Sequence, residues 1–316
     1  MSIIITGSLA FDHILQFPGV LEEHILPEHL SKLHVSFLVE DMKKMRGGCA
    51  SNISYSIALL GQKPSIMATA GRDFGEFDEW LRKRGVDTSL IKIIEDEYTA
   101  NCFITTDRNS NQITGFYSGA MSKGSLVSFK DIDYKDIQIA IISPNAPDAM
   151  IKYCKECREL GIPFIYDPGQ QLPRLTKEDM LSSIEGSLFT IVNDYELSVI
   201  LHRTGKTIEE LLDLTKTIVK TMGSEGCSII TKEGEITVKS AKPLRVADPT
   251  GAGDAFRSGF ITGYVKGLDY EHMAKIANIT AVYVVEQDAP ATHEFTPEEF
   301  KARYRETYGE ECPEIF

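Results

Sequence analysis

Short apolar runs rich in β-branched residues recur along this chain of 316 residues, each followed by a segment of helical periodicity. Ile3 to Thr6 leads into a Gly-Ser turn, and Ser65 to Ala70 precedes FGEFDEWLRKRG. Ile139 to Ser143 precedes Asp148 to Leu160, and Phe164 to Tyr166 ends in Asp167-Pro168-Gly169. Leu188 to Val192 ends in Asn193, ahead of Tyr195 to His202. Strands alternating with helices predict an α/β fold with a doubly wound, mostly parallel sheet flanked by helices. Ligands of such sheets bind beyond the carboxyl ends of the strands, which is where Asp167 and Asn193 stand.

Two stretches break the alternation. His24 to Gly48 and Tyr98 to Met121 read as strands and turns, the second as a hairpin around Asp107 to Asn111. They predict a small β lid (13-48 and 98-121) on a large nucleotide-binding and catalytic domain (1-12, 49-97 and 122-316). Gly47-Gly48 is the natural hinge between them.

Composition narrows the function classes. A formal net charge of -13 repels phosphate backbones, so nucleic acid is not an expected partner, although local backbone dipoles can still hold one small anion. No apolar stretch approaches bilayer length, and the first residues read as a strand rather than a leader, so a cytoplasmic location without a membrane partner is expected. Of six cysteines, Cys154 and Cys157 form a CxxC on a helical segment. No second pair accompanies them, so they read as two helix thiols without a metal.

The segment DPTGAGDAF (Asp248 to Phe256) carries the sharpest chemical signal. Small residues Gly251-Ala252-Gly253 leave backbone N–H groups uncovered at the start of a helix, where the dipole favours an anion. Asp254 in the first turn can be aimed at the same point. A capping role explains an Asp there, but not the three small residues before it. The arrangement suits phosphoryl transfer, which depends on positioning and charge neutralisation.

DPTGAGDAF resembles the second signature of the ribokinase-like (PfkB) kinase family, and further landmarks occur in family order along nearly the whole chain. GSLAFD (Gly7 to Asp12), RGGCASN (Arg46 to Asn52), GRDFG (Gly71 to Gly75), NDYE (Asn193 to Glu196) and TMGSEG (Thr221 to Gly226) are each similar to a family motif. Within the family, ILPEHL, FYSGAMS, DPGQQL and DAFRSGF resemble the mycobacterial-type adenosine kinases.

The resemblance implies a ribokinase-like fold and ATP-dependent phosphorylation of a nucleoside 5′-hydroxyl, with adenosine (to AMP) as first candidate. A kinase for a free sugar of the ribose or fructose type is the alternative. A nucleotide-binding regulator is disfavoured because base and anion hole are both intact. In the implied roles, Asp254 is the base, and Gly251, Ala252 and Gly253 supply the anion hole. Asp12 grips ribose hydroxyls, and Ser8, Ser36, Gly48 and Asn52 line the ribose pocket. Phe116 stacks on the base, with Gln170 and Gln171 meeting the nucleoside. Thr221, Gly223 and Gly226 contact ATP, and Asn193 and Glu196 organise Mg²⁺ and its waters.

Two positions depart from the pattern. Cys102 stands where a second aromatic ring is expected, and Phe103, one residue along, faces the other side of a strand. Ala289-Pro290-Ala291 replaces a Gly-Thr-Gln of a loop that, with the position of Asp248, binds a monovalent cation in many relatives. Potassium activation is therefore not the expectation. Exposed lid edges make a homodimer through paired lids the expected assembly.

Overall fold

Apolar residues occupy both faces of the strand Ser2–Thr6 (β1), the pattern of a strand buried inside a parallel sheet. Ile3 and Ile5 point into one core and Ile4 into the other. The computed structural model describes residues 2–24, 36, 38–109 and 111–316. After β1 come β2 (Ala10–Gln16), β3 (Asp41–Gly47), α1 (Cys49–Leu59), β4 (Pro64–Ile66), β5 (Ala68–Gly71), α2 (Gly75–Arg82) and β6 (Ile91–Ile94). The hairpin of β7 (Ala100–Thr106) and β8 (Gln112–Tyr117) follows. Alternation then resumes with β9 (Ile137–Ile142), α3 (Pro147–Leu160), β10 (Phe164–Tyr166), α4 (Lys177–Ile184), β11 (Phe189–Asn193), α5 (Asp194–Thr204), α6 (Ile208–Leu212) and β12 (Ile218–Thr221). The remaining elements are β13 (Cys227–Thr231), β14 (Gly234–Val238), α7 (Ala252–Val265), α8 (Tyr270–Val285) and α9 (Pro297–Tyr308).

The large sheet has the order β14-β13-β12-β11-β10-β9-β1-β4. It is parallel from β12 to β4, and β13 and β14 add an antiparallel edge. Helices cover both faces, with α1, α2, α7 and α8 packed on one core and α3 to α6 on the other. After pairing β4 beside β1, the chain crosses to lay β9 on the other flank of β1. The crevice at such a reversal is where doubly wound sheets bind ligands. Among the described residues, no helix is long and apolar enough to cross a membrane.

A second sheet, β3-β2-β7-β8, stands apart from the first. β2 pairs in parallel with β7, and its other neighbour β3 runs antiparallel to it. β3 ends at Gly47, and α1 begins two residues later. The turn at the hairpin tip is organised by Asp107, whose carboxylate accepts backbone N–H bonds from Leu21, Asn109 and Asn111, each at 2.8 Å. Most of His24 to Phe37, including ILPEHL, lies outside the described residues.

The run Ser65 to Ala70, expected as one strand, is two. It changes partner at Met67, whose N–H still reaches the carbonyl of Ile5, and Ala68–Gly71 then pairs with β6 in a separate two-stranded sheet. Every residue of the run is buried, Ser65 and Thr69 included, and no turn residue interrupts it, so nothing in the sequence marks the break. Cys154 and Cys157 lie on the inner side of α3, fully buried.

Candidate active site

Five parallel strands end at one crevice. Ser8 follows β1, Pro144 follows β9, Asp167 follows β10, Asn193 closes β11 and Thr221 closes β12. All five line a cavity of about 670 Å³ together with the start of α7. Gly251 is the N-cap of α7 with φ of 83°, in the left-handed region that a side chain resists. A Cβ there would also sit 2.8 Å from Cβ of Pro290, so the turn admits only glycine.

Because Gly251 is the cap, Asp254 is not. Its carboxylate instead accepts a hydrogen bond from Asn52 Nδ2 on α1, at 2.8 Å. Burial lifts the Asp254 carboxyl to about 6, with the Asn52 bond and the Arg257 charge pulling the other way. The other amide atom of Asn52, Oδ1, is buried without a partner among the described residues. Ser258 Oγ donates to the carbonyls of Asp254 and Ile53, tying α7 to α1 below the site.

Arg257, one turn on from Asp254, is not an exposed helix arginine. It is buried and pairs with Asp167 through Nη2 at 2.5 Å, while Nη1 donates to the carbonyl of Gly253 at 2.9 Å. Asp167 is itself buried and accepts a bond from Ser143 Oγ. This pair links the end of β10 to the first turn of α7. Sequence reasoning could place Asp167 at a strand end, but nothing local marks a partner ninety residues away. Cys49, at the start of α1, is another lining residue that no motif marked for a role.

The acceptor side of the cavity is a row across the small sheet. Asp12 on β2 stands opposite Cys102 on β7, and Cys102 stands opposite Phe116 on β8. All three line the cavity, with Ser8, Gly48, Asn52 and Gln170 also on its wall. Ser8 Oγ accepts the N–H of Cys49 at 3.1 Å, fixing the strand end against α1. Burial raises the Asp12 carboxyl above its ordinary range, against the influence of His13. A Cβ on Gly47 would come 2.2 Å from Asp12 Oδ2, so this glycine makes room for the carboxylate. Phe103 faces away and stacks on His13 at 4.7 Å, leaving the thiol of Cys102 where a ring would be.

Three expected residues are placed elsewhere. Gln171 is buried behind the cavity wall and accepts a bond from Arg174, because its short helical turn points successive side chains apart. Ser36 is exposed and does not line the cavity. Ala252 lines an adjoining cavity instead, and its N–H is taken by the carbonyl of Pro249 at 3.1 Å. Of the three small residues, Gly251 and Gly253 line the polar cavity.

The adjoining cavity, about 510 Å³, shares Thr221 and Gly253 with the first. Gly223 and Gly226 lie on its wall with apolar Val246, Phe256, Ala281 and Val285. On the wall of the first, Asn193 and Glu196 form a capping box at the start of α5. Asn193 Oδ1 accepts the N–H of Glu196 at 2.8 Å, and Glu196 Oε2 accepts the N–H of Asn193 at 2.9 Å. Burial raises the Glu196 carboxyl. Among the described residues, no group of three or more His, Cys, Asp or Glu is placed to hold a metal ion. Asp248 Oδ1 accepts the N–H of Thr250, and Arg245 Nε donates to the carbonyl of Glu286 at 2.8 Å.

A polar cavity and an apolar one thus meet at a glycine-rich helix start with a partly buried carboxylate, a geometry for moving an anionic group between two ligands. The chain is similar to the nucleoside kinase of Methanocaldococcus jannaschii, 31% identical over 263 residues that cover 82% of this chain and 85% of the relative. It is 28% identical to the nucleoside kinase of Methanothermobacter thermautotrophicus, with 98% of each chain covered. Its fold matches that of the Burkholderia thailandensis nucleoside kinase in complex with inosine, with a TM-score of 0.88 and 32% identity over 98% of this chain and all of that one. The sequence pattern of the pfkB family of carbohydrate kinases matches residues 19–295. The protein therefore belongs to the pfkB family, with its ribokinase-like fold, and is an ATP-dependent phosphotransferase with an alcohol acceptor.

Proposed function

We propose that the acceptor is the 5′-hydroxyl of a purine nucleoside, with adenosine as the first candidate. The observation that carries this reading is the row Asp12, Cys102 and Phe116, which presents a carboxylate and an aromatic face at its two ends on one wall. A carboxylate accepts from two ribose hydroxyls, and the ring offers a stacking surface to a base. Gln170 on the facing segment adds an amide that can both donate and accept. The three relatives described above are nucleoside kinases, one of them with bound inosine.

In this assignment Asp254 accepts the proton of the 5′-hydroxyl. With its carboxyl lifted to about 6, it is mostly ionised at neutral pH yet basic enough to take a proton in the transition state. The Asn52 bond fixes its orientation. The exposed start of α7 at Gly251 and Gly253 stabilises the charge on the transferring group. Arg257 braces that turn through the Gly253 carbonyl and is held off the substrate by Asp167. The second cavity has the apolar walls suited to an adenine ring, with Thr221 leading toward the polar side.

Glu196 and Asn193 suit Mg²⁺ that keeps most of its waters, since few protein donors are present and one carboxylate oxygen is engaged in the cap. Mg²⁺-bound ATP supplies the phosphoryl group and the charge neutralisation it needs. Ala289-Pro290-Ala291 stands where the Gly-Thr-Gln of a cation-binding loop is expected, and Asp248 Oδ1 already accepts the N–H of Thr250, so turnover is expected without added K⁺.

ADP release measured across adenosine, inosine, other nucleosides, ribose and fructose tests the proposal. Purine nucleosides should be turned over with the highest kcat/KM. Free sugars exceeding every nucleoside would overturn it.

A further inference from the structure

On the other side of the Ala289-Pro290-Ala291 loop lies a separate cavity of about 380 Å³. Four parts of the fold converge on it: β3 with Lys44 and Arg46, α1 with Tyr55, the end of α2 with Trp80 and Arg84, and the segment from Ala289 to Glu294. None of the three cations is in an ion pair among the described residues. Each rests on an aromatic face instead. Lys44 Nζ lies 3.8 Å from the Phe11 ring centre, and the Arg84 and Arg46 guanidinium carbons lie 4.2 and 5.3 Å from that of Trp80.

In a chain of net charge -13, three convergent cations without a carboxylate partner need a reason. An aromatic face attracts a cation but leaves its N–H donors free. Arg46 Nε is buried with no hydrogen-bond partner among the described residues. Arg84 donates at a long 3.5 Å to the carbonyl of Trp80 and is also engaged by the Tyr55 hydroxyl, which leaves further guanidinium N–H donors free. Among the described residues, Glu294 is the one carboxylate on the wall, and it is in an ion pair with none of the three. Two guanidinium forks and an ammonium converging on a concave site match a tetrahedral dianion. The cavity is too large for a bare phosphate alone and suits a small organic phosphate. Tyr55 stacks on Trp80 at 5.4 Å and Arg84 packs on the ring as well, so both rings are engaged and the site offers no open face for a nucleobase.

We propose that this cavity is a second anion site, one that binds the phosphomonoester dianion of a small metabolite, separate from the site of phosphoryl transfer. Its position links it to both substrates. Arg46 precedes Gly47, which abuts Asp12, and Pro290 lines this cavity and also packs against Gly251.

Trp80 is the single tryptophan of the chain, so its fluorescence reports this site and no other. Titration with inorganic phosphate and with glycerol phosphate, at ionic strength matched by chloride, should give a saturable change. Tighter binding of glycerol phosphate supports the ester, and tighter binding of inorganic phosphate narrows the ligand to the free ion and overturns the ester assignment. The Arg46→Gln/Arg84→Gln double variant should bind at least tenfold more weakly. Thr292→Glu, which adds a carboxylate at the exposed rim without removing an arginine, should do the same if the double variant fails to fold. No saturable change, an equal response to chloride, or unaltered binding in the variants would show that the cations only brace the aromatic rings.

Discussion

Asp254 is held by opposing influences. Burial lifts its carboxyl to about 6 from an ordinary value of 3.8, while the Asn52 amide and the buried Arg257 favour the charged form. As a base it must be ionised, so kcat/KM for the nucleoside is expected to fall as pH drops through about 6, with unit slope on the acid side. A pH–rate profile checks this, and Asn52→Ala should shift the break upward because it removes a donor to the charged form. Arg257 and Asp167 depend on each other more strongly, since they are in direct ion-pair contact, whereas Asp254 and Glu196 act on Arg257 only through space. Removing one side of a buried pair leaves an uncompensated charge at a cost of about 3–5 kcal/mol. Arg257→Ala is therefore expected to lower the midpoint of denaturant unfolding severely, whereas Arg257→Ala combined with Asp167→Ala should recover part of that loss.

At the level of elements, the acceptor wall depends on the register of β2, β7 and β8. Asp12, Cys102 and Phe116 share a face only because their strands align opposite one another. Cys102→Phe adds a ring on that face, and base–aromatic stacking contributes about 1–3 kcal/mol. The variant is expected to bind adenosine roughly tenfold more tightly by calorimetry. Unchanged affinity would mean that Phe116 and Gln170 already fill the base site. Much of this was legible in the sequence, because a strand–helix alternation dictates a parallel sheet and a sheet dictates where its ligands lie. Asp167, Asn193 and Thr221 all stand at strand ends, as such a sheet requires. Side-chain direction within irregular segments was not legible, which is why Gln170 faces the cavity and its neighbour Gln171 does not. Nor was the break of Ser65 to Ala70 into two strands, since a run with no Gly or Pro inside it carries no signal of a change of partner.

For the molecule as a whole, the site has a cost in stability. A carboxyl whose folded value is raised holds its proton through a window, here 3.8 to about 6, in which the unfolded chain has released it. Its contribution is thus most favourable below that window and is lost as pH rises through it. Asp254→Asn removes a poorly solvated charge at pH 7, so its Tm is expected to exceed that of the native sequence there, and the gain should vanish near pH 4. A scan at the two pH values checks the sign. The same arrangement explains why residues from distant parts of the chain meet at one point. β1, β9, β10, β11 and β12 deliver their ends to the crevice, the small sheet supplies one wall, and α7 closes the floor with Asp254. The sequence motifs marked both halves of this site, but the charge pair beneath it emerges only from the packing of α7 against the end of β10.

The most direct measurement is a comparison of Asp254→Asn with the native sequence, recording kcat by ADP release with adenosine and the Kd of each substrate by calorimetry. The account predicts that kcat falls by roughly 10²–10⁴-fold while both affinities stay within a few-fold, because the carboxylate acts on the proton in flight. Turnover within tenfold of the native value would contradict it, and the base would have to be sought elsewhere in the cavity.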